Sequence, residues 1–139
     1  MIRNICVIAT IVLALACAQP STSVATLSPG TWRLLSIGQS AALPGDVARR
    51  PWLTFAAGPS RVSGNLGCNQ TSGPFTTQGS ELRFGALIST RMACADDALN
   101  RQEAALGGAL QATDRYRIRG DTLDLLRGDA VVAAFVRVP

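Results

Sequence analysis

From residue 31 to residue 138 the chain falls into short runs in which apolar and polar positions alternate, separated by Gly, Pro, Asn and Asp. A period of two with turn residues between the runs predicts β-strands joined by hairpins. Residues 31–37 place Trp32 and Leu34 on one face. Residues 51–55 place Leu53 and Phe55 opposite Trp52 and Thr54. Residues 61–64 begin a third strand after a tight turn at 57–60. Residues 73–77 and 81–84 form a hairpin turning at Gln78-Gly79, and 86–92 is a further extended segment. Residues 114–119, 122–126 and 130–138 make a three-stranded antiparallel meander, with turns at Gly120-Asp121 and Arg127-Gly128-Asp129.

One stretch changes period. In 95–112, Leu99, Leu106 and Leu110, with Ala105 and Ala109, sit at helical spacing, and Asp96 or Asp97 is placed to cap the N-terminus. Gly107-Gly108 interrupts the run at about 1 kcal/mol per glycine, which predicts close contact with a sheet or fraying. Residues 38–50 read as a loop. The sum is a single, mainly β (α+β) domain, an antiparallel sheet curling toward a partly open barrel with one helix packed against it.

The first residues follow another logic. Arg3 precedes an apolar run from 5 to 15 with small residues before Cys17, the layout of a secretory signal over 1–17 and too short a run to span a bilayer comfortably. Ala14-Leu15-Ala16-Cys17 resembles a lipobox, in which Cys17 becomes the acylated N-terminus and holds the protein on a membrane surface. Ala14-x-Ala16 also fits ordinary signal cleavage, whose product is secreted unlipidated; the lipoprotein is the expectation. Residues 18–29 read as a flexible tether. Of four cysteines, Cys6 leaves with the leader and Cys17 carries lipid. Cys68 and Cys94 remain in an oxidising compartment, where a structural disulfide is expected over buried thiols; wide spacing without C-x-x-C argues against a redox site.

The formal charge is +4, and all 13 basic residues are arginines, scattered among acids. With 5% aromatic residues and no basic stripe, nucleic-acid binding is not indicated. Absence of histidine removes Ser-His and Cys-His dyads, and absence of lysine removes Schiff bases and the P-loop lysine. A metal would be left with Cys68, Cys94 and carboxylates, so no metal or cofactor is expected. Adjacent Asp96 and Asp97 point apart on a helix start and read as caps. Glu81 beside a hairpin turn and Glu103 on the helix read as solvated. Gly64-x-x-Gly67 precedes no helix, so it reads as a structural corner and not a phosphate loop. The Arg-Gly-Asp triplets at Arg119 and Arg127 fall where hairpins must turn. Arg91 has two readings, fixation of the corner or contact with an anion.

An ordered set of motifs adds to this. Gly30-Thr31-Trp32-Arg33-Leu34, the corner Val62-Ser63-Gly64-Asn65-Leu66-Gly67-Cys68-Asn69, the segment Ser89-Thr90-Arg91-Met92-Ala93-Cys94, a helix with E-x-x-L-x-x-A-L, and a closing Tyr116-Arg117-Ile118-Arg119-Gly120 hairpin occur in that order. Together, from 30 to 139, they resemble the META domain of HslJ-like bacterial lipoproteins. The resemblance implies a partly opened, lipocalin-like barrel, with Trp32, Gly64, Gly67, Asn69, Thr90, Arg91 and Met92 as structural motif positions. It implies a monomeric, non-enzymatic envelope protein, anchored through N-terminal lipid, acting in envelope maintenance or stress tolerance through contacts with an envelope protein. A likeness to secretin-pilot lipoproteins raises a second expectation, a small apolar ligand or lipid carried inside the barrel.

Overall fold

In a computed structural model, the structure describes residues 27, 29–44 and 50–139. The expected leader, Cys17 and nearly all of the tether lie outside the described residues, as does part of the 38–50 loop. Ten strands and one helix follow one another: β1 (Thr31–Ile37), β2 (Ser40–Ala41), β3 (Trp52–Phe55), β4 (Arg61–Asn65), β5 (Gln70–Gln78), β6 (Glu81–Phe84), β7 (Ile88–Ser89), α1 (Asp97–Ala112), β8 (Arg115–Arg119), β9 (Thr122–Arg127) and β10 (Ala130–Val138).

The expected strands are present, and their pairing closes a ring. Neighbours run β10-β9-β8-β6-β5-β4-β3-β1, and β1 returns to pair antiparallel with β10 from Thr31↔Val138 to Ile37↔Ala133. The result is a closed eight-stranded antiparallel barrel, with β2 paired to β1 and β7 paired to β5 as extras. Its thinnest seam is β6 against β8, where Glu81 opposite Arg115 is the one paired position. Flanking bonds from Leu82 N to Asp114 O (3.1 Å) and from Tyr116 N to Ser80 O (2.9 Å) hold it shut. The antiparallel barrel expected from the alternation is thus closed rather than partly open, with this seam its thinnest joint.

Alternation sorts the side chains as the pattern predicts. Trp32, Leu34, Leu53, Phe55, Leu82, Leu123 and Phe135 point inward and are essentially inaccessible. Phe55 meets Phe75 edge-on at 5.3 Å between centroids, a favoured aromatic geometry. Leu106, Ala109 and Leu110 of α1 complete the same core.

Three local expectations change. The helix runs through Gly107-Gly108 without a break, and a Cβ at either position would meet nothing within 4 Å, so neither sheet contact nor fraying accounts for the pair. Burial of Leu106, Ala109 and Leu110 on either side holds the helix where propensity alone would weaken it. Ala105, placed by spacing on the apolar face, is exposed. The extended segment 86–92 pairs with the sheet over two residues only, because β6 takes the same edge of β5 from Phe75 onward and leaves Thr71 and Ser72 for β7.

Candidate functional surface

The glycine-rich corner joins β4 to β5 and is built by its own polar atoms. Leu66 N donates to Asn69 O at 2.9 Å, and Gly67 N donates to Asn65 Oδ1 at 2.9 Å. Gly67 has φ +152°, a conformation side chains resist, and a Cβ there would stand 3.4 Å from Glu103 Oε2. Gly64 is required for another reason, since a Cβ would collide with the Trp52 carbonyl oxygen. Neither asparagine takes positive φ; both act through their side chains.

The turned corner presents its amides to the helix. Cys68 N and Asn69 N each lie 2.8 Å from Glu103 Oε2, and Asn69 Nδ2 donates to Oε1. Glu103 is thus not a solvated helix residue, as its sequence context suggested, but the anchor between α1 and the corner. Burial pushes its carboxyl up, but the bonds from the Asn69 side chain and the two backbone amides outweigh this, and the pKa falls below the ordinary glutamate value. The glutamate of the E-x-x-L-x-x-A-L pattern, three residues before the buried Leu106, was the available signal.

Asn69 is the hub of the site. It is buried, and its Oδ1 accepts from Thr90 Oγ1 (2.9 Å) and Met92 N (2.7 Å), while Nδ2 donates to Met92 O (3.0 Å). Thr90 adds bonds with the Gln70 backbone at 3.0 and 3.1 Å. The segment continues to Cys94, bonded to Cys68 across 5.7 Å between Cα atoms, and Asn100 clasps the Cys94 backbone at 3.2 Å through both of its amide atoms. The Cys68 and Cys94 sulfurs and a Glu103 oxygen lie within 4.8 Å of one another. Because the sulfurs are joined and the carboxylate is engaged by three N–H groups, the trio is a structural clamp and offers a metal no thiolate.

Other candidates fall outside this cluster. Trp32 lies inside the barrel with the Arg137 guanidinium 4.6 Å from its ring. Asp96 caps α1, accepting from Ala98 N at 2.7 Å. Asp97 and Glu81 stand outside the four main grooves bounded by described residues. In the Arg-Gly-Asp triplets, Gly120 and Gly128 each adopt φ +57° in hairpin turns, and Arg119 bonds to Asp124 at 2.8 Å. Arg91 is exposed and makes no ion pair or hydrogen bond among the described residues, so the corner is fixed without it.

What the clamp displays is apolar. Ile88 is 70% exposed and Met92 61% exposed, on a segment whose backbone is held at Thr90, Met92 and Cys94. Beside them a groove of about 550 Å³ crosses the outer face of β3, β4 and β5, lined by Trp52, Ser63, Gln70, Ser72, Ile88 and Ser89 among others.

The META domain family model matches residues 25–139. Among curated proteins nothing matches. Two solved structures share the fold. An NMR structure of a protein from Burkholderia xenovorans is 27% identical, with a TM-score of 0.65 over 81% of this chain and 83% of that one. A second NMR structure is 22% identical, with a TM-score of 0.61 over 77% of this chain and 88% of that one.

Proposed function

The chain belongs to the META domain family, and from that premise we propose that it is a non-enzymatic cell-envelope lipoprotein. It is held by lipid on Cys17, on the outer membrane where the cell has one, and acts in envelope maintenance through contacts made by the 88–92 surface. If Cys17 is cleaved past without lipidation, the same domain works free in the periplasm.

The observation that carries this reading is the combination of locking and exposure. Disulfide, Asn69 and Glu103 fix a segment that leaves Ile88 and Met92 in solvent. An unbonded, flexible loop could tuck such side chains away; a clamped one keeps both presented to a partner. The barrel interior is occupied by Trp32, Leu34, Phe55 and their neighbours, so the packing favours surface contact over an interior ligand. Against catalysis stand the spent or isolated carboxylates and the lack of histidine and lysine.

The test is complementation. A strain lacking the protein is expected to lose viability under detergent or osmotic stress and to recover with the wild type and with Glu81→Gln and Asp97→Asn variants. Ile88→Ser with Met92→Ser is expected to accumulate folded and fail to rescue. Full rescue by that double variant, or failure of the carboxylate variants, would overturn the proposal.

A further inference from the structure

The groove beside the displayed segment has a chemistry of its own. Strand register sets its groups in two rows across the sheet, Trp52 and Gln70 on either side of Asn65 in one, and Ser63–Ser72–Ile88 in the other. Neighbours in a row sit one strand spacing, about 4.8 Å, apart. The side chains of Trp52, Ser63, Gln70 and Ser72 have no hydrogen-bond partner among the described residues, although Asn69, Thr71, Ser89 and Thr90 around them are bonded. The lining is thus an indole, two free hydroxyls and a free amide, with the apolar Ile88 at the rim and no charged side chain.

Each feature excludes a class of occupant. An ion would find no charged side chain in the lining, and Arg33, which pairs with Trp52 across the sheet, is engaged by the Arg50 carbonyl. A wholly apolar chain would bury hydroxyls and an amide without partners, which opposes binding. A peptide adding as a strand needs a free backbone edge; β4 is paired on both sides, and the open edge at the rim, β7, is only two residues long. A ligand with a C–H face for the indole and uncharged hydroxyls spaced along it satisfies all the groups. The volume falls within the ~300–1,000 Å³ of small-ligand sites.

We propose that the Trp52 groove binds a neutral saccharide chain, with the indole against a sugar ring face and Ser63, Gln70 and Ser72 bonding to its hydroxyl or acetamido groups. This rests on the surface-contact reading and names a ligand class for that surface. The two fail separately: the titration reads sugar binding at Trp52 in the purified protein, with Ile88 and Met92 unchanged, so a null titration leaves the complementation result standing.

The full chain, ¹⁵N-labelled in detergent micelles, is titrated with chitotetraose, an anionic tetragalacturonate and an uncharged tetrapeptide. The two tryptophans give two indole N–H resonances, with the buried Trp32 signal as an internal fold reference. Chitotetraose is expected to move the Trp52 resonance saturably and leave that of Trp32 in place. Trp52→Ala should weaken binding, read from backbone amides of Ser63 and Ser72, by at least about tenfold while the Trp32 resonance stays put. Should Trp52→Ala misfold, Ser63→Ala with Ser72→Ala serves instead, with about a fivefold loss expected. No saturable shift at Trp52, an equal response to the anionic tetramer, or a response to the peptide in place of the sugar would overturn the proposal.

Discussion

Glu103 carries more of this structure than its neighbours in the sequence suggest. Its carboxylate accepts three N–H bonds from a corner distant in sequence, and such charge-assisted bonds are the stronger kind. Glu103→Ala is expected to cost about 1–2 kcal/mol in denaturant unfolding, the lower part of the range for bonds to charged groups because the site is partly solvated. The pH dependence follows from the depressed pKa. A carboxyl held below its unfolded value stabilises the fold above that unfolded value, and the contribution is lost as pH falls through the folded pKa. Thermal melts from pH 7 downward should show wild type losing stability below the ordinary glutamate range, with Glu103→Gln losing less. An equal acid slope in both would contradict the clamp. Asn69 was legible as a corner residue, but its role was not: the turn chemistry of asparagine says nothing of partners at Thr90 and Met92, which only the closed barrel brings beside it.

At the scale of the element, strands were easier to read than their limits. Alternation found β1, β3, β6 and the closing meander because each buries one face, and a one-residue slip would expose it. It missed the first residues of β5, where Gln70, Thr71 and Ser72 lack an apolar signal and pair through the corner geometry instead. It missed β2, a two-residue strand following a turn at Gly38 with φ +55°. The helix was found, while the meaning given to Gly107-Gly108 was not supported. Since a Cβ at either position meets nothing, Gly107→Ala and Gly108→Ala should each stabilise the protein by about 0.5–1 kcal/mol. Gly64→Ala should do the reverse, by about 2 kcal/mol, because its Cβ would strike the Trp52 backbone. Urea midpoints of the three variants separate glycine kept for space from glycine without a structural demand.

For the whole molecule, the barrel and the clamp divide the work. Sixteen buried residues form one core in which helix and strands share the same neighbours, so the ring is held by packing around the circuit, including the thin β6/β8 seam. The disulfide is added outside that core and ties two loops 26 residues apart. The loop-entropy account gives it about 3.5 kcal/mol, a sizeable share of a small domain's stability. Cys68→Ser with Cys94→Ser should therefore fold into the same barrel with a stability lower by roughly that amount, and it should fail in complementation if the locked surface is what acts. Fold class was legible at this scale because pattern, turn residues and motif order all pointed to one architecture. The displayed surface was not, because exposure of Ile88 and Met92 depends on which edge of β5 is left free.

The most direct test of the central claim is the intact mass of the exported protein after alkylation without reduction. A locked corner predicts no added alkyl group at Cys68 or Cys94 and a mass two hydrogens below the dithiol form, with labelling appearing only after a reductant. Ready alkylation of both cysteines in the unreduced protein would contradict it.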